Sequence, residues 1–283
     1  MPRTSCTAVS SSSLTKLDED LIYLEGHAEH LLDGLLWLKK KHTIFRPMMD
    51  KQLRTWRGSG KQWPGFITIH MTLFFSCALD IANLGLDDDE RTPSIAKIVN
   101  KLKKNITVRQ ELRRRYAVTV FPVIDEEQKD QAHMAIIHDL EQQWAAEWEA
   151  RFDEEYEQLL SLWKKLKGSR PLKAFKEIRD KLAAHTDLVY VDGVYKPLLD
   201  IGTLGLTWGD TTMTIHQMKK IIELINRLVR RAGFDWDSLE EQNYQAATAF
   251  WRELPETPMP EDEIVPGYEA LIKIPFKEPR KPK

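Results

Sequence analysis

The sequence predicts an all-α fold: a helical bundle with one short β-hairpin and a C-terminal extension. Three observations predict it. Apolar residues recur at spacings of three and four, as in Leu17, Leu21, Leu24, Ala28, Leu31, Leu35 and Leu38, which lays one stripe along a helix. The very apolar segment from Phe66 to Leu84 is too long for one strand and reads as a buried helix. The single β signal is brief, Val189 to Tyr195 around Asp192-Gly193, the composition of a tight hairpin turn.

The elements follow in order. Thr15, with Asp18 three residues on, opens the first helix, because a threonine side chain and an acidic third residue satisfy the free amides of a first turn. A polar, basic connection from about Lys39 to Gly65 leads to the apolar helix. Asp87 to Glu90 form a solvated loop, and Thr92-Pro93 opens a short helix through Lys104 with proline at its first position. Thr107 to Tyr116 reads as another short helix, stopped by the β-branched run before Pro122.

From Asp125 to Lys167 runs a long amphipathic pattern carrying Ile137, Leu140, Trp144, Trp148, Phe152, Tyr156, Leu159, Trp163 and Leu166. Its first turn is acidic and its last basic, matching the helix dipole. Gly168 and Pro171 separate it from a helix over about Pro171 to Thr186, with Leu172, Phe175, Ile178 and Leu182 inward. After the hairpin, a strong helix spans about Met213 to Arg231 and is closed by Gly233. Asp237 with Glu240 caps a last helix to about Leu254, and Pro255 to Lys283 holds seven prolines, an irregular arm or disordered tail. The expected division is a disordered, Ser-rich N-terminal segment over 1–14, a helical domain over 15–233, and an extension with a Pro-rich arm over 234–283.

Composition excludes several classes. The 283 residues carry 41 Lys+Arg against 43 Asp+Glu, a formal net charge of -2, so the chain is no polycation that coats nucleic acid by bulk charge. No run of about eighteen apolar residues and no secretory signal is found, so neither a membrane span nor export is expected. Cys6 and Cys77 build no disulfide framework, which fits a reducing cytoplasm. Gly58-Ser59-Gly60-Lys61 lacks the upstream glycine of a P-loop, since position 55 is threonine. The common hydrolase, dinucleotide and zinc-protease signatures are absent as well. His27 and His30 stand one helical turn apart but have no third ligand to nominate, so neither a metal nor a cofactor is expected.

One constellation carries chemistry. Arg179-Asp180-Lys181-Leu182-Ala183-Ala184-His185, with Asp187 two residues later, places an arginine, a polar residue and a histidine on one short helix that follows a long one. The segment resembles the R-x(4–6)-H motif of the HEPN superfamily, small helical bundles that include many metal-independent endoribonucleases. The R-D-K-x-x-A-H form is similar to the abortive-infection protein U branch. The resemblance covers about residues 15 to 232. It implies a HEPN-like bundle, an endoribonuclease of defence or toxin type acting as a homodimer, and an antitoxin or other defence protein as a further partner. The bland alternative is an Arg and a His on an ordinary surface helix.

Residue chemistry agrees with that implication. RNA supplies its own nucleophile, the 2′-hydroxyl, so the protein must align the phosphodiester, move a proton and stabilise a dianionic transition state. His185 titrates near neutrality and suits general acid–base work. Arg179 stays charged, and its planar fork fits two phosphoryl oxygens. Asp180 is a supporting residue, orienting His185 or the Arg179 of a second copy. Six residues on a helix leave two side chains about 120° apart, so a compact pair on one face is disfavoured. A two-fold dimer that brings two Arg and two His into one cleft is the economical arrangement.

Arg170, Lys173, Lys176 and Lys181 surround the motif as a candidate RNA phosphate track. Lys164, Lys165 and Lys167 precede it, where complementing a helix C-terminus explains them equally well. Two other basic segments, Arg46 to Trp63 with interleaved tryptophans and Arg113-Arg114-Arg115, are each compatible with RNA contact or with a structural role. Two alternatives to catalysis stand beside the nuclease: a non-catalytic RNA- or nucleotide-binding HEPN module, and a helical scaffold or regulator that recruits a protein partner.

Overall fold

The computed structural model describes residues 14–49, 63–89, 91–118, 131–184, 188–191, 194–197 and 204–252. Eight α-helices and one two-stranded hairpin form in these residues. The N-terminal segment over 1–13, the basic residues 50–62, the acidic Asp125–Asp130, His185, the Asp192–Gly193 turn and the Pro-rich arm lie outside them.

Helix α1, Lys16–Phe45, is the axis of the bundle. The Thr15–Asp18 capping box expected at its start is present. Leu21, Leu24, Ala28, Leu31, Leu35 and Leu38 are buried, and His42 and Phe45 continue the stripe. That continuation carries the helix past Lys39, where a polar connection was expected. A short 3-10 turn, Arg46–Met49, follows.

Helix α2, Trp63–Leu86, runs back along α1. Phe45 stacks on His70, Lys41 meets Asp80 at 2.6 Å, and a Cβ on Gly34 would lie 2.5 Å from Leu84 Cδ2. By length and composition, Pro64–Leu86 is apolar enough to cross a membrane. Here Phe74, Cys77, Ala78, Ile81 and Ala82 are buried, and the helix packs along α1 and the motif helix. Burial also raises the Cys77 thiol to about 12, which keeps it a neutral thiol and inert.

Helix α3, Ile95–Lys104, begins two residues after Pro93 because Ser94 caps it, its hydroxyl accepting from the Lys97 amide. Asn105 ends α3 and caps α4, Ile106–Ala117. Its amide nitrogen also donates to Asp20 Oδ2 at 2.9 Å, and Lys101 reaches Asp20 Oδ1 at 2.7 Å. One buried carboxylate on α1 thus holds the α3–α4 corner.

Helix α5, Gln131–Gly168, packs its later half. Phe152, Tyr156, Leu159, Trp163 and Leu166 are buried, while Leu140 and Trp144 are exposed. Helix α6, Arg170–Ala184, carries the motif and lies along α2. Strands β1, Leu188–Val191, and β2, Val194–Pro197, pair antiparallel with Tyr190 opposite Tyr195, the hairpin read from the sequence.

Helix α7, Trp208–Arg230, runs antiparallel to α1, with His42 on Thr212 and Asn226 on the Ala28 carbonyl. It starts five residues before the expected Met213, because Asp210 accepts from the Thr207 amide and hydroxyl. Its cap is Arg231 in the left-handed conformation, φ 52°, rather than Gly233. The Arg231 guanidinium donates to the carbonyls of Arg115 and Val118, bonds that offset the strain.

Helix α8, Trp236–Arg252, belongs to the stretch expected as an extension and packs on α1. Asp235 caps it through Ser238, while the expected cap residue Glu240 instead pairs with Lys39 and Lys219. Farther along, Trp251 donates to the Ile44 carbonyl and packs with Met48 and Phe66.

Candidate nucleic-acid interface on the motif helix

Local sequence explains why α6 forms and how it is turned. Ser169 Oγ accepts from the Leu172 amide at 3.3 Å, and Pro171 occupies the first turn, where a missing amide proton costs nothing. Leu172, Phe175 and Ile178 are fully buried. Leu172 presses on Gly85 of α2, where a Cβ would come within 3.2 Å of Leu172 Cδ1. This close helix approach leaves Lys173, Lys176, Glu177 and Asp180 on the solvent side.

Arg179 sits at the edge of the buried stripe, its side chain 17% exposed. Its Nε and Nη2 donate to Asp180 Oδ1 at 3.0 and 2.9 Å. Lys176 binds the other oxygen of the same carboxylate. Partial burial opposes ionisation of Asp180, but the hydrogen bonds from Lys176 and Arg179 outweigh it and hold the carboxyl below its ordinary value. The guanidinium is therefore half-sequestered, with a fixed orientation and one remaining face. His185 follows Ala184, the last described residue of α6.

The four candidate phosphate contacts differ. Arg170 donates to the Leu204 carbonyl at 3.0 Å and fills the space beside Gly205, which straps α6 to the segment before α7. Lys176 rests on Asp180, and Lys181 meets Glu177 at 2.5 Å, one turn away. Lys173 makes no ion pair among the described residues. Exposed pairs of this kind are worth a few tenths of a kcal/mol. Lys164, Lys165 and Lys167 are exposed at the end of α5 and adjoin α6 through Ser169.

Other sequence candidates resolve against a site. Arg113 is held by Glu149 and Asp153, Arg114 by Glu111, and Arg115 by Glu111 and Glu25. The arginine triplet is thus a neutralised seam. His27 stacks on Tyr23 and His30 leans towards Asp33. Among the described residues, no three of His, Cys, Asp and Glu converge to hold a metal ion.

One basic surface was passed over in the sequence. Lys97, Lys101 and Lys104 of α3 line an open cleft of about 680 Å³ with Tyr23, Asn100 and the start of α4. The signal was available: spacings of four and three put the three lysines on one helix face, opposite the buried Ile95, Ile98, Val99 and Leu102.

The sequence profile of a HEPN family described as AbiU2 matches residues 23–250. That span runs from α1 to near the end of α8 and includes the whole motif. No curated protein and no solved structure matches the chain.

Proposed function

Since the chain belongs to the AbiU2 family of HEPN proteins, we propose that it is a metal-independent endoribonuclease of defence type, built as an RNase-like HEPN module. The observation that carries this reading is the setting of Arg179: a guanidinium anchored at the edge of a packed helix, oriented by its neighbour, amid four other cations and two carboxylates over residues 170–181.

The chemistry uses the RNA's own 2′-hydroxyl. His185 removes the 2′-proton as the oxygen attacks the adjacent phosphorus in line. Arg179, presented by Asp180, holds the non-bridging oxygens as negative charge builds on them. A proton returned to the leaving 5′-oxygen gives a 2′,3′-cyclic phosphate and a 5′-hydroxyl. Two copies of the motif in a homodimer cleft supply one histidine for each proton step. Arg170, Lys173, Lys176 and Lys181 steer the backbone towards the cleft. The reading places the enzyme in the cytoplasm as a toxin, restrained by an antitoxin or another defence protein.

Incubation of purified protein with total RNA in EDTA tests the proposal. Wild type is expected to cleave. Arg179→Ala and His185→Ala are each expected to lose at least about a hundredfold in rate while melting at the wild-type temperature. Intact RNA with wild type, or equal cleavage by the variants, removes the nuclease reading. Salt-sensitive RNA binding without cleavage would leave a binding module instead.

A further inference from the structure

We propose that the cleft formed by α1, α3 and the start of α4 is a second phosphate-binding site, gripping the RNA strand away from Arg179. This rests on the reading of the protein as RNA-directed, and no residue of α6 lines the cleft.

Arg113, Arg114 and Arg115 of α4 are matched by carboxylates, Arg109 is held by the Leu102 carbonyl and Tyr156, and Lys176, Arg179 and Lys181 of α6 have acidic neighbours on their own helix. Helix α3 differs. Over Ile95–Lys104 it carries four lysines and no acidic residue. Lys101 is paired with Asp20 at 2.7 Å, and its ammonium sits 4.7 Å from the centre of the Tyr23 ring. Lys97 donates only to the Thr92 carbonyl at 3.1 Å, and Lys104 makes no ion pair among the described residues. The carboxylate of Asp20 is buried and already shared by Lys101, Asn105 and Lys16. The cleft lining holds three lysines and no carboxylate, and so keeps a net positive charge that Asp20 behind Lys101 and Asp89, within the field of Lys97, only partly offset.

The other walls add donors rather than acceptors of charge. Helix α4 begins in the cleft at Ile106 and Thr107, where first-turn amides have no partner within the helix and the dipole favours an anion. Asn100 lies between Lys97 and Lys104 on the same face. On the α1 side the wall is Tyr23, whose ring stacks on His27 behind it. Burial lowers the proton affinity of His27, and the fields of Lys97, His30 and Lys101 lower it further, as expected beside a basic cleft.

The ligand chemistry is a phosphate ester. Lys97 to Lys104 spans about 10 Å along the helix, longer than one phosphate and suited to two successive ones on a strand. A free nucleotide presents the same chemistry, so the test separates the two sources.

The measurement is RNA affinity by fluorescence anisotropy, against salt, in a His185→Ala background that leaves the RNA intact. Lys97→Gln with Lys104→Gln removes two charges from the cleft, one half-buried and one exposed. Lys103→Gln with Lys220→Gln removes two exposed charges elsewhere and is the control. The cleft pair is expected to bind a short single-stranded RNA at least about tenfold more weakly at low salt, with a log–log salt slope shallower by about 1.4, while the control stays within about twofold. Both pairs should melt like the parent. Equal effects of the two pairs, or none, overturn the site, and the nuclease reading then still stands or falls on cleavage by wild type. Loss of ATP binding with RNA affinity unchanged overturns the strand as the ligand. Weakened RNA binding by a protein that proves not to cleave supports the site and removes only the nuclease.

Discussion

Arg179 spends both Nε and Nη2 on a single oxygen of its sequence neighbour Asp180. The pair fixes where the guanidinium points, and it also makes Asp180 a competitor of any phosphate that approaches. Positioning and competition are separable by experiment. Asp180→Asn keeps the shape and removes the charge. It should tighten RNA binding about threefold to tenfold at low salt in a His185→Ala background, measured by anisotropy. The same change in the active protein should slow cleavage, because the fork loses its orientation. Weaker RNA binding by Asp180→Asn would contradict the competition.

Stability should fall with acid in two separate windows. His42 is buried against Thr212, and burial, with Arg46 and Lys39 nearby, pushes its pKa down to about 4. Its unfolded value is near 6.5, so between those limits the unfolded chain takes up a proton that the native state refuses. The contribution is full above pH 6.5 and lost as pH falls towards 4, a total of about 3 kcal/mol. Glu111, drawn down to about 2 by Arg114 and Arg115, acts only below about pH 4.5. Urea unfolding of His42→Gln should therefore show a flatter pH dependence between 6.5 and 4.5. His27, also lowered by burial, leaves a residual slope.

Two glycines should respond oppositely to alanine. Gly26 lies within α1 with nothing within 4 Å of a Cβ, so Gly26→Ala should gain about 0.5–1 kcal/mol from helix propensity. Gly205 has φ 61°, and the Arg170 guanidinium stands where a Cβ would go. Gly205→Ala should cost about 2 kcal/mol, combining the left-handed penalty with displacement of Arg170. Adding Arg170→Ala should recover the steric part only. Thermal melts of the two single variants and the Gly205 double variant decide all three points.

Glu155 is the polar knot of the α4–α5–α7 seam. At 7% exposure it accepts from Arg227 at 3.1 Å, Tyr116 at 3.3 Å and Arg151 at 3.5 Å. Glu155→Ala leaves the buried Tyr116 hydroxyl and two partly exposed arginines without their acceptor and should cost about 1–3 kcal/mol. Glu155→Gln, which still accepts, should cost about half as much in the same denaturation experiment.

Much of this architecture was written in local pattern. The α1 stripe, the Thr15–Asp18 box and the buried α2 were legible because periodicity and capping act within a few residues. What failed to read was tertiary. Gly233 looked like the end of α7, yet Arg231 takes the left-handed cap because its side chain finds two carbonyls 113 and 116 residues away. Arg113 to Arg115 were compatible with RNA contact or a structural role, and spacing could not decide, because Glu149, Asp153 and Glu25 lie far off in sequence and only Glu111 is local. At the motif, residue types were readable, but the grip of Asp180 on Arg179 was not, since a rotamer choice leaves no trace in spacing. The α3 lysines were readable and were missed among clusters that looked denser.

Helix α8 is joined to the bundle by an ionic clasp over one indole. Lys39 and Lys219 both stand about 5 Å from the centre of the Trp236 ring, and both bind Glu240. A chain cut at Gly233 would lose the indole and the carboxylate together, leaving two ammonium groups from α1 and α7 repelling each other across a bared apolar strip. The smallest unit that can fold with its charges balanced therefore reaches beyond the domain boundary suggested by composition, and a minimal expression fragment has to keep α8.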